Sequence, residues 1–177
     1  MASVRMWQEL TTKDFTALDA ERTVALLPVG AIEQHGPHLP VVVDALVAEE
    51  VVRRAFAHMS DEVPALLLPT SSIGKSNEHI DFPGTLTLSA ETLTRLWTEI
   101  GDSVARAGIR KIVFLNAHGG QPQIMEIVAR ELRVRHAMLA VTTSWSRLVD
   151  LDGMFGENER RHGIHGGAVE TLSLIHI

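Results

Sequence analysis

The sequence predicts an α/β domain, a three-layer sandwich with a mostly parallel sheet covered by helices. Two observations carry this. Four short apolar runs alternate with longer segments of helical spacing. The polar residues suited to metal or acid–base chemistry fall in the loops directly after those runs, and open α/β sheets gather ligands at the carboxyl ends of their strands.

The chain opens with WQELTTKDFTAL, an amphipathic piece whose anchors are Trp7, Leu10, Phe15 and Leu18; one or two short surface helices are expected there. TVALLPV, residues 23–29, is a continuous apolar run ending at Gly30, as a strand buried on both faces would read. After Asp44, ALVAEEVVRRAFAHM repeats apolar residues with helical spacing at Leu46, Val47, Val51, Ala55 and Phe56, with Glu49–Arg53 and Glu50–Arg54 expected as exposed i,i+4 pairs. PALLLP, residues 64–69, is the second strand, and it opens into the long loop SSIGKSNEHIDFPGT. The next helix is capped at Ser89, carries Leu93, Leu96, Trp97, Ile100 and Val104 on one face and stops at Gly108. Residues 112–115 form the third strand, a helix over about 121–135 follows with Ile124, Ile127, Val128 and Leu132 as its stripe, and residues 138–143 form the fourth strand.

With 177 residues and 45% hydrophobic content the chain is read as a single domain, 1–177. A net charge of −6 with interspersed signs and no basic block argues against a nucleic-acid or membrane-surface partner. No apolar run approaches the roughly 18 residues of a spanning helix, and the N-terminus lacks a signal-peptide core, so a cytoplasmic location is expected. The absence of cysteine excludes disulfides, Cys-ligated zinc and thiol nucleophiles, leaving His and carboxylate as ligands. A GxSxG nucleophile motif is also missing.

Gly30 to Asp44, GAIEQHGPHLPVVVD, concentrates Glu33, His35, His38 and Asp44 in one Gly- and Pro-broken segment. Hard oxygens mixed with imidazole suit Zn, Mn or Fe(II). Glu33 and His35 are two apart, so an extended backbone turns both to one face. Asp44 is equally well read as the N-cap of the following helix. In NAHGG, His118 is either a ligand beside glycines that permit close approach, or incidental to a turn whose amides bind phosphate, although no GxGxxG or P-loop Lys accompanies it. RRHGIHGGAVET contributes His162, His165 and Glu170, or simply a solvated loop and helix start.

Together, GAIEQHGPHLPVVVD, GKSNEHIDFPGT, NAHGG and HGGAVET resemble, in order and separation, the motif set of the creatininase (creatinine amidohydrolase) family. The resemblance implies an α/β sandwich with a centre of two divalent metal ions (Zn, Mn or Fe(II)) at the strand ends, hydrolysing C–N bonds of cyclic or linear amides or formamides. It implies Glu33, His35, Asp44, His118 and Glu170 as metal ligands, with Asp44 bridging, and His165 as the catalytic proton carrier. Glu78, His79, Gly119 and Gly120 would line the substrate site. The implied partner is a small-molecule amide, and a homo-oligomer is expected when the full-length chain is made. His38 has no matched role beyond packing or orienting its turn.

Departures from the family pattern narrow the expectation. Members acting on creatinine carry Glu where this chain has Gly120, which turns the expected substrate towards another cyclic amide, an N-formyl compound or a peptide bond in a cofactor-precursor peptide. Trp145 alone lies near the region of the ring-holding tryptophans, and it reads equally as a core residue. Ala168 replaces a common Glu. Residues 172–177, LSLIHI, do not resemble the family's continuation, so a truncated domain is expected, with a non-catalytic fragment that binds metal or assembles as the alternative function.

Overall fold

The computed structural model describes residues 5–60, 62–151 and 153–176. Its centre is a sheet of β1 (Val24–Val29), β2 (Ala65–Leu67), β3 (Lys111–Asn116) and β4 (Leu139–Ser144), in the order β2-β1-β3-β4 with every pairing parallel. Parallel neighbours need long crossovers. These are the helices α2 (Val43–His58), α3 (Ala90–Arg106) and α4 (Pro122–His136). Upstream lies α1 (Thr12–Ala17), and downstream α5 (Glu157–His162) and α6 (Ala168–His176).

The period of two along each strand assigns the layers. Ala25, Leu27, Val29, Leu66, Leu68, Ile112 and Phe114 point into one core with Leu93 and Trp97 of α3 and Met125, Val128 and Leu132 of α4. Leu26, Ala65, Leu67 and Leu115 point the other way, onto Val52 and Phe56 of α2. The second layer of helix is incomplete: Leu139 and Val141 of β4 remain exposed, because α2 lies over β1 and α6 packs on α2. The expected N-terminal piece is a turn of 3₁₀ helix, Trp7–Glu9, and α1, with Trp7, Leu10, Phe15 and Leu18 packed on the first core. Thr11 and Asp14 cap α1 reciprocally, and Ser89 Oγ accepts the Thr92 N–H at the start of α3.

Helix surfaces differ from expectation in detail. Ile127 is 54% exposed and Met125 takes its place in the core, Leu96 is largely exposed, and Ala55 faces solvent. In α2 the expected Glu49–Arg53 pair is absent. Arg53 Nε lies 2.6 Å and Arg54 Nε 2.7 Å from the buried Glu50, and Arg54 Nη2 also donates to the His176 carbonyl of α6. The Arg53 hydrogen bonds, then Arg54, outweigh burial and hold the Glu50 carboxyl down at about 2. A depressed carboxylate stabilises the fold above its ordinary value of 4.5 and loses that contribution as pH falls towards 2. Glu50→Gln is therefore expected to lower the melting temperature at pH 7, with the deficit shrinking below pH 4.5, as thermal melts across pH will register.

Candidate metal centre and active site

Each of the first three strands ends in a loop that returns a polar side chain to the sheet edge, and α6 supplies the fourth contribution. Gly30 begins the first loop. A Cβ there would lie 2.6 Å from the Ala45 nitrogen, so only glycine lets the strand end touch the start of α2. That contact, closed by the Glu33 N–H donating to the Val41 carbonyl at 2.9 Å, brings Asp44 back beside His35. Asp44 is not the N-cap. That position is Val42, and Asp44 lies in the first turn with its carboxylate turned into the cluster, where the positive helix end favours it.

All five residues matched to ligand positions converge. Glu33, His35, Asp44 and His118 are buried, and Glu170 is partly so. His35 Nε2 lies 3.2 Å from Asp44 Oδ1 and 3.9 Å from both Glu33 Oε1 and Glu170 Oε1. His118 Nδ1 lies 3.0 Å from Asp44 Oδ2 and 3.2 Å from Glu33 Oε1. Asp44 thus turns one oxygen to each histidine. Glu170 Oε2 accepts the Gly166 N–H, which orients the carboxylate.

The hydrogen-bond network fixes which imidazole nitrogens are left to face the cluster. His35 Nδ1 donates to the Glu33 carbonyl at 3.0 Å and His118 Nε2 to the Lys75 carbonyl at 2.8 Å. With those protons committed outward, the inward nitrogens face carboxylate oxygens, and a second proton or a cation must stand between them. Glu33 Oε2 is buried with no hydrogen-bond partner and Asp44 Oδ2 faces only His118 Nδ1, a costly state unless a cation stands between the groups. Histidine donating its far N–H to a backbone carbonyl is the usual support of a metal ligand, and His/Asp/Glu donors suit Zn, Mn or Fe(II). The residues fit a divalent-metal centre.

Protonation tells the same story. Burial opposes a charge on His118, but hydrogen bonds and attraction from Asp44 and Glu33 overcome it and push the imidazole up to about 10. His35 is raised in the same way, Asp44 overcoming burial. Asp44 is lowered because both histidines outweigh its burial, whereas burial raises Glu170. In the metal-free protein a proton supplies the positive charge the carboxylates require. Metal loading must expel it. Titration calorimetry in buffers of different ionisation enthalpy is expected to show release of roughly one to two protons per chain near neutrality, and metal affinity that rises with pH.

His165 joins the cluster. Its ring lies 4.3 Å from that of His35, and Nδ1 is 3.6 Å from Glu33 Oε1. With His35 and Glu170 it forms a group within metal-ligating reach, so the residue matched to proton transfer stands where a ligand also could. His79 stacks on His165, and Glu78 Oε1 lies 3.5 Å from His118 Nε2. Gly119 is open to solvent, whereas a Cβ at Gly120 would meet Glu78 Oε1 at 2.0 Å and His118 Nε2 at 2.5 Å. Gly120 is therefore space for Glu78. A carboxylate over that turn, together with Pro122 at the start of α4, which removes an N–H, argues against a phosphate cradle.

A cavity of about 380 Å³ adjoins His165 and Glu170, lined also by Trp145, Leu151, Arg160 and Ile164. Trp145 both lines it and packs on the second core. His162 is exposed at the end of α5, away from these contacts. His38 bonds Thr171 Oγ1 at 3.0 Å, tying the first loop to α6. Sequence reasoning missed Asn116 and Gln121. Asn116 brackets His118 through the backbone N–H and carbonyl of that residue, while fully buried Gln121 joins Asn116, Gly30 and Lys75. The one signal was polar residues flanking a Gly-rich turn at a strand end.

Residues 8–177 match the family described as creatininase, creatinine amidohydrolase. A mycofactocin precursor peptide peptidase of Mycobacterium ulcerans (strain Agy99) is 33% identical over 174 residues, 96% of this chain and 64% of the relative. A creatinine amidohydrolase of Pseudomonas putida is 32% identical over 184 residues, 94% of this chain and 69% of the relative. The solved structure "Creatininase Mn" superposes with a TM-score of 0.75 at 30% identity, covering 96% of this chain and 71% of that one. The chain thus spans 64% of the length of its mycobacterial relative. A match that runs nearly end to end, in a chain whose matched motifs fold onto one sheet edge, makes this protein a member of the creatininase family.

Proposed function

We infer that the protein is a metal-dependent amidohydrolase that cleaves a C–N bond of an amide or peptide. The observation that carries this reading is the convergence of the inward nitrogens of His35 and His118 on the buried carboxylates of Glu33 and Asp44, with each far imidazole N–H held by a backbone carbonyl. Asp44, with an oxygen towards each histidine, would be shared by two ions. A pair of divalent ions bound there would supply a water acidic enough to ionise near neutrality and would polarise the amide carbonyl.

The chain's own residues do the remainder. His165 Nε2 donates to the Gln34 carbonyl, so Nδ1 is the atom that takes up a proton and returns it to the departing nitrogen. The adjoining cavity, with Trp145, Leu151 and Ile164 on its walls, receives the group on one side of the scissile bond. Gly120, where members acting on creatinine carry Glu, favours another substrate, and the exposed Gly119 beside it leaves room for a linear amide or peptide. The mycobacterial relatives' name, precursor peptide peptidase, supports including peptides in that class.

The test is a hydrolysis screen of formamides, lactams and short peptides with Mn- or Zn-loaded protein, read by mass spectrometry. Cleavage that chelator abolishes is expected. Bound metal without turnover of any class would leave the non-catalytic, metal-binding reading.

A further inference from the structure

Gln34 sits between two residues matched to ligand positions, but its side chain engages neither. Its Oε1 accepts the Gly36 N–H at 2.9 Å, and a backbone N–H can only donate. The amide orientation is thereby fixed, and Gln34 Nε2, which lies 2.9 Å from His79 Nδ1, must donate to it. His79 therefore carries its proton on Nε2. That N–H points towards Glu33 Oε1, which at 3.8 Å is beyond hydrogen-bond reach. His35, His118 and His165 do the reverse: each gives an N–H to a backbone carbonyl and turns its other nitrogen inward. The carbonyl that fixes His165 is that of Gln34 itself. The His79 and His165 rings stack with centroids 4.3 Å apart and an interplanar angle of 19°.

We propose that Gln34 is a positioning residue that holds this stacked pair in opposite tautomers, so that His79 offers a neutral N–H to the substrate carbonyl oxygen while His165 offers a lone pair. The His79 proton stays on His79. The N–H stabilises charge developing on the oxygen, and the neighbouring His165 handles the proton bound for the nitrogen. Glu33, His79 and His165 also lie within metal-ligating reach of one another, but the inward N–H of His79 would have to be lost before that nitrogen could hold an ion. This role rests on the amide-hydrolysis reading above; the tautomers do not.

The test begins with the nitrogen-15 shifts of the side-chain imidazoles in the full zinc-loaded chain without substrate. Expected for His79 are a protonated Nε2 and a bare Nδ1, reversed in Gln34→Glu, whose carboxylate can only accept. Zinc content in that variant should match the parent. Once a substrate is found, Gln34→Glu and His79→Ala should each lower kcat by roughly 10²-fold, the scale of one lost oxyanion donor, with KM little changed. His79→Gln, which places an amide N–H near the same point, should recover most of that loss. Protonation of Nδ1 in the parent, an unchanged tautomer in Gln34→Glu, or zinc loss in His79→Gln would overturn the proposal. Because the spectrum needs no turnover, a failed hydrolysis screen would count against the function and leave the tautomer result to decide the role of Gln34.

Discussion

Asp44→Asn is expected to abolish hydrolysis and to strip metal from the protein while the fold survives. Asp44 turns Oδ1 to His35 and Oδ2 to His118 at 3.2 and 3.0 Å, so it offers a separate oxygen to each half of the centre. An amide keeps the size but gives up the charge and one acceptor. Loss of even an outer hydrogen-bond partner of a metal ligand costs about 10–100-fold in affinity or activity, and a shared ligand should cost more. Without metal the variant also loses the anion that holds His35 and His118 protonated, so a lower metal-free melting temperature is expected, and the shift on adding metal is the readout. Metal at 100 times its dissociation constant should stabilise the parent by about 2.7 kcal/mol and the variant hardly at all. Thermal melts with and without Mn, beside a hydrolysis assay, check both parts; equal metal-induced shifts in parent and variant would contradict them.

His165→Gln is the complementary case. The account assigns His165 the proton that the departing nitrogen needs, so turnover should fall by roughly 10²–10⁴-fold with metal content retained. The alternative is concrete, since His165, His35 and Glu170 lie close enough to hold an ion together. Metal loss in step with activity would make His165 a ligand rather than a proton carrier. Substrates with better leaving groups separate the roles further: a proton carrier matters less as the leaving group improves, whereas a ligand matters equally for all.

Much of this arrangement is legible in the sequence because its signals are local. The four apolar runs and the loops after them set the strands, and a parallel sheet then has only one edge on which Glu33, His118 and the 76–79 loop can meet. Two sequence patterns left alternatives open where one residue serves two local rules. Asp44 satisfies the preference for an acidic residue early in a helix, and only the contact of Gly30 with α2 reveals that its carboxylate is turned to the site. Trp145 satisfies both core packing and cavity lining.

What the sequence hid depends on hydrogen bonds between distant segments. Gln121 reaches Gly30 across 91 residues and Lys75 across 46, and nothing in its neighbourhood announces that. The tautomers of the histidines follow from which carbonyl or amide faces each far nitrogen, again a property of assembled loops. The helix stripes held at Leu93, Trp97, Val104, Ile124, Val128 and Leu132 and missed at single positions for a different reason. Ile127 and Met125 sit two positions apart on one helix, and the choice between them is made by where α3 crosses α4 rather than by their hydropathy.

The most direct measurement is elemental analysis of the purified full chain after loading and removal of free ions. About two equivalents of Zn, Mn or Fe per chain are predicted, since the inward nitrogens of His35 and His118 and the carboxylates of Glu33, Asp44 and Glu170 would provide for a pair of ions sharing Asp44. A protein that holds no ion, or one that keeps both in Asp44→Asn, would contradict the two-metal account at its centre.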